Sequence, residues 1–249
     1  MTGLVIGNWK MNLGPAEAVK LATRLDEIIE PTHDVEVAVC PPTIDLVPVA
    51  EVLKGSPIQL GAQNANAADA GAYTGEVSAA MLSGLVRYVI IGHSERRAMG
   101  ETDDEISRKV AAVVRNGLTP VLCVGEKLLD RQHGVAGKVV HDQLVAGLGG
   151  LTAAEVAHVV VAYEPIWAIG SGEAARPDDV KPVVSAIRRT VEELYGAEGT
   201  VGLRVLYGGS VSAANAADYL HGAEADGLLV GGASIRSEEF AGIIKAVKG

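Results

Sequence analysis

Short runs of β-branched and other apolar residues recur along the chain, and the stretches between them carry apolar residues at helical spacing. Each run is bounded by glycine, proline or polar residues, which is typical of a buried strand. The pattern predicts eight strands, at residues 4–7, 35–40, 58–61, 88–91, 119–124, 159–163, 203–207 and 227–230.

The intervening stretches predict amphipathic helices. A helix is expected at residues 16–29, where the apolar positions fall largely on one stripe. Thr102 and Glu105 form a capping box that opens a helix running to Asn116, and Gly117 is its C-terminal stop. Two further helices are predicted at residues 178–195, ended by Gly196, and at residues 237–247.

The alternation of strand and helix predicts an α/β fold, a (β/α)8 barrel of eight parallel strands surrounded by helices. No linker rich in proline or glycine divides the chain, so residues 1–249 are expected to form one domain. The competing fold is an open doubly wound sheet. The count of eight strands and the lack of a GxGxxG motif after the first strand favour the barrel.

Composition narrows the class of protein. The 249 residues carry a formal net charge of −10, which argues against nonspecific binding to nucleic acid or to an anionic membrane surface. No apolar segment approaches the length of a membrane span, and the N-terminal residues lack the pattern of a signal peptide. Two isolated cysteines and six scattered histidines indicate no disulfide framework and no metal site, and they fit a reducing cytosol.

The loop after the sixth strand carries the most specific candidate for chemistry. Glu164 ends the strand, and Pro165 excludes the helical conformation at Glu164. The bulky Trp167 and a glycine-rich segment follow, so the loop has the composition of a mobile lid that bears a catalytic carboxylate. An ordinary βα loop that happens to contain a glutamate is the alternative interpretation.

Polar residues also follow the first and fourth strands. Lys10 follows a buried strand beside Asn8 and could hold an anion, although an isolated lysine is more often a solvated surface residue. His93 lies where a helix is expected to begin. A helix N-terminus disfavours imidazolium, so a neutral His93 could donate a hydrogen bond to a carbonyl oxygen. A capping or core histidine is the alternative.

Glycine pairs follow the seventh and eighth strands, as Gly208-Gly209-Ser210 and Gly231-Gly232. Glycine lets backbone N–H groups approach an anion closely, and these two loops commonly bind phosphate in barrels. A tight turn would explain either pair alone, but their occurrence at consecutive strand ends favours a phosphate site.

Five segments together resemble the triosephosphate isomerase family, in order from the first strand to the last. They are Gly7-Asn8-Trp9-Lys10-Met11-Asn12, Ile91-Gly92-His93-Ser94-Glu95-Arg96-Arg97, Ala162-Tyr163-Glu164-Pro165-Ile166-Trp167-Ala168-Ile169-Gly170, Tyr207-Gly208-Gly209-Ser210-Val211 and Leu229-Val230-Gly231-Gly232-Ala233-Ser234. The resemblance implies interconversion of dihydroxyacetone phosphate and D-glyceraldehyde 3-phosphate without a cofactor, in glycolysis and gluconeogenesis in the cytoplasm.

The resemblance also implies roles for individual residues. Glu164 matches the family's base, which moves a proton between two carbons through an enediol(ate), and His93 matches its neutral electrophile. Lys10 and Asn8 match residues that bind and polarise the substrate, and Glu95 matches a carboxylate that supports the lysine. The positions that match phosphate-binding residues, mostly through backbone N–H groups, are Gly170, Ser210, Gly231 and Gly232.

The loop from Gly71 to Gly75 resembles the family's interlocking loop, which inserts into a second subunit and reaches its active site. The resemblance therefore implies a homodimer, whereas an ordinary long surface loop is the alternative.

The lid's second hinge departs from the family, which often has a lysine in place of Glu173 and a β-branched or polar residue in place of Ala174. This departure concerns the rate at which the lid opens and closes rather than the activity itself.

Two other functions are compatible with a phosphate-binding barrel. One is the isomerisation or epimerisation of a larger sugar phosphate, which the Glu164-Pro165 lid and the His93 segment disfavour. The other is a noncatalytic binding module, which would be expected to lose Glu164, His93 or Lys10.

Overall fold

The computed structural model describes residues 3–30, 33–169 and 174–248. These residues form eight strands, whose bounds agree with the predicted ones to within one residue. In chain order, β1 to β8 are Gly3–Asn8, Val35–Cys40, Ile58–Ala62, Tyr88–Ile91, Thr119–Val124, Val160–Tyr163, Arg204–Tyr207 and Gly227–Val230.

All neighbouring strands are parallel, and the sheet closes because β1 pairs with both β2 and β8. Val5 of β1 lies opposite Val37 on one side and opposite Leu228 on the other. The predicted eight-stranded barrel is thereby confirmed, and the open doubly wound sheet is wrong.

The barrel strands are apolar on both faces because each face contacts a different part of the core. Inward side chains form one cluster within the barrel, which includes Leu4, Ile6 and Leu206. Alternate residues such as Val5 and Val37 join a second cluster, between the sheet and the surrounding helices. Burial on both sides explains the continuous hydrophobic runs in the sequence.

Eleven α-helices lie in the described ranges. In chain order, α1 to α11 are Pro15–Ile28, Leu46–Val52, Ala79–Leu82, Ser94–Ala98, Asp103–Arg115, Leu128–Gln132, Ala136–Leu148, Ala153–Val156, Pro177–Thr200, Ala216–His221 and Ser237–Val247. Short 3₁₀ helices occur at Thr43–Asp45, Ile166–Ala168 and Gly232–Ile235. None of these described helices has the length and apolar character that a bilayer span requires.

Two of the predicted helix ends are confirmed by their hydrogen bonds and dihedral angles. The Thr102 hydroxyl accepts a hydrogen bond from the Glu105 N–H at 3.3 Å, and Glu105 Oε2 accepts one from the Thr102 N–H at 2.8 Å. In α9 the helical conformation breaks at Gly196, whose φ is +66°, and the helix resumes to Thr200.

A charged network crosses the end of the barrel at which the strands begin. Glu36 of β2 accepts hydrogen bonds from the Tyr88 hydroxyl at 2.7 Å and from Arg204 Nη1 at 2.8 Å. Arg204 Nη2 also donates to the Tyr88 oxygen at 2.9 Å, and Arg87 lies 3.0 Å from Glu36. The network joins β2, β4 and β7, which are not neighbours in the sheet.

These contacts shift the pKa values of the network. Burial raises the pKa of Glu36, but the hydrogen bonds from Tyr88 and Arg204 and the two arginine charges lower it more, so the net pKa is below the ordinary value of 4.5. Burial and the hydrogen bond to Glu36 raise the pKa of Tyr88 to about 12. A carboxyl group with a lowered folded-state pKa stabilises the fold above its unfolded-state pKa, and that contribution is lost as the pH falls through the folded-state pKa.

We therefore expect Glu36→Gln to reduce the free energy of unfolding by about 1.5–3 kcal/mol at pH 7, the range for hydrogen bonds to a charged group. The reduction should shrink as the pH falls below 4.5 towards 3, because Glu36 of the parent protein also becomes neutral there. Urea unfolding at several pH values measures both effects. Glu30→Gln is the matched control, since Glu30 is exposed. A loss for Glu36→Gln that is equally large at pH 3 and pH 7 would contradict the charge-based account.

Candidate active site

Residues that follow five strands meet in one cavity of about 640 Å³ at the carboxyl end of the barrel. Its lining includes eight of the nine residues predicted for the site, namely Asn8, Lys10, His93, Glu95, Glu164, Ser210, Gly231 and Gly232. The ninth, Gly170, lies outside the described residues, as does Glu173 of the second hinge. Ala174 is described and exposed.

Lys10 is held in an unusual backbone conformation at the end of β1. Its φ is +53°, a left-handed conformation that costs a non-glycine residue about 1–2 kcal/mol. Two contacts hold it: its N–H donates to Asn8 Oδ1 at 3.0 Å, and its carbonyl oxygen accepts from Gln63 Nε2 at 2.8 Å. The strained turn directs the ammonium group to Glu95, 2.7 Å away. Lys10 and Glu95 thus form an ion pair at the cavity wall.

His93 caps the N-terminus of α4. Its Nδ1 accepts a hydrogen bond from the Glu95 N–H at 3.2 Å, which places the proton of a neutral ring on Nε2. Nε2 lies 2.9 Å from Glu164 Oε1 and donates to it. The Nε2–H of the neutral ring is therefore directed into the cavity, where the Glu164 carboxylate accepts it.

Glu164 is only 2% exposed, so its carboxylate needs partners within the protein. Besides His93, it accepts hydrogen bonds from the Ser94 N–H at 2.9 Å and the Ser94 hydroxyl at 3.4 Å. Two glycines lie close to Glu164. A Cβ at Gly125 would lie 1.7 Å from the Glu164 carbonyl oxygen, and one at Gly208 would lie 3.0 Å from Glu164 Cγ.

The pKa of His93 differs from the expectation that the helix N-terminus alone suggests. Burial lowers the pKa, but the carboxylates of Glu164 and Glu95 raise it more, so the net pKa lies above the ordinary value of 6.5. The expected lowering is wrong for this arrangement because Glu164 is in direct contact with the ring. The hydrogen bond that Nδ1 accepts from Glu95 still favours the neutral form.

The Gly231–Gly232 turn lies beside Lys10. A Cβ at Gly231 would lie 3.2 Å from Lys10 Cε, whereas one at Gly232 would meet no atom within 4 Å, so Gly232 faces open space. Ser234 is fully buried, and its hydroxyl donates to the Gly231 carbonyl oxygen at 2.7 Å, which fixes the turn. After the neighbouring strand β7, the Ser210 hydroxyl donates to the Ala168 carbonyl oxygen at 3.0 Å.

Sequence reasoning missed Glu126, which follows Gly125 after β5 and is fully buried. Its Oε1 accepts hydrogen bonds from the Tyr163 hydroxyl at 3.1 Å and from Trp167 Nε1 at 2.8 Å. Arg131 lies over the Trp167 ring at 4.5 Å from its centroid. These contacts hold the start of the loop after β6. A carboxylate just after a strand, here one residue beyond it, was the available signal.

Sequence reasoning also missed Ser94 as a partner of Glu164, and Arg236, which lines the cavity next to the Gly231–Gly232 turn. In the described ranges no group of three or more His, Cys, Asp or Glu residues could hold a metal ion.

Comparison with known proteins identifies relatives of the whole chain. A family model described as triosephosphate isomerase matches residues 3–247. A protein of Carboxydothermus hydrogenoformans named triosephosphate isomerase is 46% identical over 243 residues, covering 97% of each chain. One from Thermoanaerobacter sp. (strain X514) is 45% identical over 245 residues, 97% of this chain and 98% of the relative. One from Cutibacterium acnes is 45% identical over 251 residues, 98% of this chain and 97% of the relative.

The contact between His93 and Glu164 predicts a coupled titration. Glu164→Gln should lower the pKa of His93 relative to the parent protein, because the carboxylate that raises it is removed while burial, which lowers it, remains. NMR titration of the His93 ring measures the shift. Glu193→Gln, at an exposed position on α9, is the charge-matched control and should leave the pKa unchanged. A His93 pKa that is equal or higher in Glu164→Gln would contradict the proposed coupling.

Proposed function

Because the chain belongs to the triosephosphate isomerase family, and so interconverts dihydroxyacetone phosphate and D-glyceraldehyde 3-phosphate, we propose that Glu164 is the base of this reaction. The observation that carries the proposal is the burial of the Glu164 carboxylate in the cavity, in contact with His93 Nε2. Glu164 and His93 line the same cavity, so a proton acceptor and a hydrogen-bond donor can act on one bound substrate.

In the proposed mechanism Glu164 removes a proton from the substrate carbon next to the carbonyl group. The electron pair of that C–H bond forms the carbon–carbon double bond, and the carbonyl oxygen becomes an enediolate oxygen. His93 Nε2 donates a hydrogen bond to this oxygen and stabilises its charge. Glu164 then returns the proton to the former carbonyl carbon, while the hydroxyl proton of the neighbouring carbon passes to the enediolate oxygen. The electron pair of that O–H bond forms the new carbonyl group, so no net proton or electron is gained or lost.

This mechanism requires Glu164 to leave its present contacts. The single Nε2–H of His93 now donates to Glu164 and cannot donate to a substrate oxygen at the same time. When the carboxylate moves away from the ring, its effect on the His93 pKa weakens, while burial and the Glu95 N–H persist. His93 therefore acts as a neutral donor once substrate is bound.

Lys10 and Asn8 are proposed to bind the substrate, and Glu95 to hold the ammonium group of Lys10. The backbone N–H groups of Ser210, Gly231 and Gly232, with Gly170 from the lid, are proposed to bind the phosphate. The open space at Gly232 and the closeness of Lys10 to Gly231 support this assignment. Isomerisation of a larger sugar phosphate and a noncatalytic role both lack support from the relatives.

We also propose a homodimer formed through the loop from Gly71 to Gly75. The loop is exposed, with Tyr73 at its tip 52% exposed. A second cavity of about 350 Å³ adjoins the active site and is lined by Lys10, Met11, His93 and Met99 among others. Met11 is 96% exposed and Met99 is 79% exposed, and apolar side chains exposed together mark an association surface.

Two broader proposals concern the chain as a whole. Residues 1–249 are proposed to form one domain, which the pairing of β1 with β8 supports, because closure uses both ends of the chain. A cytoplasmic location is proposed, supported by the two buried cysteines, Cys40 and Cys123, both of which are free thiols.

Replacing the base should remove the chemistry but leave phosphate binding. Glu164→Gln keeps the size of the side chain, and we expect kcat to fall by about 10²–10⁴-fold, the usual effect of losing a positioned proton acceptor. A coupled assay in both directions measures kcat, and competitive inhibition by inorganic phosphate should persist. Glu193→Gln is the control and should match the parent protein. A Glu164→Gln variant with nearly unchanged kcat would rule out this base.

Removing the interlocking loop should separate the subunits and slow the reaction. We expect replacement of residues 71–75 by a short polar turn to yield monomers and to lower kcat by at least about tenfold, because small displacements of catalytic groups are costly. Analytical ultracentrifugation and activity are measured over one dilution series. Val201→Ser, which removes an apolar side chain 70% exposed at the far end of the barrel, should stay dimeric and active. A fully active monomeric parent protein at micromolar concentration would refute the proposal.

A further inference from the structure

Arg236 lies at the rim of the active-site cavity, where the chain passes from the Gly232–Ile235 turn into α11. Its side chain is exposed, and Nη1 donates a hydrogen bond to the Gly232 carbonyl oxygen at 3.3 Å. The guanidinium group therefore lies beside the turn that is proposed to bind phosphate.

The backbone at Arg236 is fixed on both sides. Its N–H donates to the Ala233 carbonyl oxygen at 3.2 Å, and its carbonyl oxygen accepts from the Phe240 N–H at 2.9 Å. Phe240 and Ser234 are fully buried, which anchors the turn and the start of α11 in the core. The exposed guanidinium group thus extends from a rigid base, and its average position stays close to the cavity.

The charge of Arg236 is not neutralised by a nearby acid. Among the described residues no carboxylate forms an ion pair with it, since Glu238 pairs with Arg24 at 2.7 Å and Glu239 accepts from the Ala213 N–H at 3.4 Å. By contrast, Lys10 is paired with Glu95 at 2.7 Å. Arg236 is therefore the unpaired cation among the described residues that line the cavity.

An unpaired cation matters here because the other charges oppose capture of the substrate. A phosphate monoester carries a charge of about −1.5 to −2 at pH 7, whereas the protein has a net charge of −10 and its cavity contains Glu164 and Glu95. With His93 neutral, the charges of Lys10, Arg236, Glu95 and Glu164 sum to zero, and without Arg236 they sum to −1. Charge at the mouth of a cleft controls the rate at which a charged ligand arrives.

We propose that Arg236 is a positioning residue that draws the substrate's phosphate dianion towards the Gly231–Gly232 turn and speeds its capture. It accelerates encounter and does not take part in proton transfer, because its charge lies at the rim, beside Gly232 rather than Glu164. This inference rests on the proposed function.

The test compares Arg236→Gln, Arg236→Lys and Lys54→Gln. Lys54 is an exposed residue between α2 and β3, at the opposite end of the barrel, so Lys54→Gln changes the net charge equally without changing the mouth. Steady-state kcat and KM are measured from low salt to 0.5 M NaCl, with inorganic phosphate as a competitive inhibitor.

At low salt we expect Arg236→Gln to lower kcat/KM about threefold to tenfold through KM and to weaken phosphate inhibition, with kcat unchanged. The deficit should shrink as salt screens the charge, and Arg236→Lys should restore most of the lost kcat/KM. Lys54→Gln should behave as the parent protein does.

Two results would overturn the inference. One is a salt dependence of kcat/KM in Arg236→Gln that equals that of Lys54→Gln. The other is a loss confined to kcat, which would indicate a role in the chemical step or in structure. Turnover by the parent protein in the same assay tests the proposed function separately, so the two failures are distinguishable.

Discussion

The burial of the Glu164 carboxylate is the constraint on which the rest of the site depends. At 2% exposure it needs donors from the protein, and it receives them from the Ser94 N–H and His93 Nε2. Those donors come from the chain after β4, so the spacing of β4 and β6 around the barrel is fixed by this contact as well as by β5 between them. Gly125 is needed beside the Glu164 backbone, because a Cβ there would collide with its carbonyl oxygen, and a Cβ at Gly208 would press on the Glu164 side chain.

The same contact separates the resting arrangement from the reactive one. His93 cannot donate to Glu164 and to a substrate oxygen together, so the proposed mechanism couples substrate binding to movement of the carboxylate. The start of the loop that carries Glu164 is tied by Trp167 and Tyr163 to the buried Glu126. A change in the position of Glu164 is thereby linked to the loop after β5 as well as to the lid.

The sequence predicts the barrel well because strands buried on both faces leave a strong local pattern. Each of the eight runs could be delimited to within one residue, and the polar residues at their ends converge because parallel strands point the same way. Contacts between distant residues could not be predicted in this way. Glu126 meets Trp167 from 41 positions away, and Ser94 meets Glu164 from 70 positions away, so neither pairing has a local signature. The predicted lowering of the His93 pKa was wrong for the same reason. The shift depends on the distant Glu164 as well as on the helix that His93 caps.

Net charge and local charge act at different distances in this molecule. A charge of −10 spread over the surface is screened beyond about 8 Å at physiological salt, so most of it acts little on a ligand at the cavity mouth. Within the cavity a few charged side chains set the electrostatic potential, and an ion pair reduces the contribution of its two members. The ion pair with Glu95 fixes the Lys10 ammonium group but weakens its field at a distance. An unpaired cation at the rim, such as Arg236, has a less fixed position, and its field extends into solvent. The roles proposed for the two residues are therefore complementary: Lys10 would order the bound substrate, and Arg236 would act before binding.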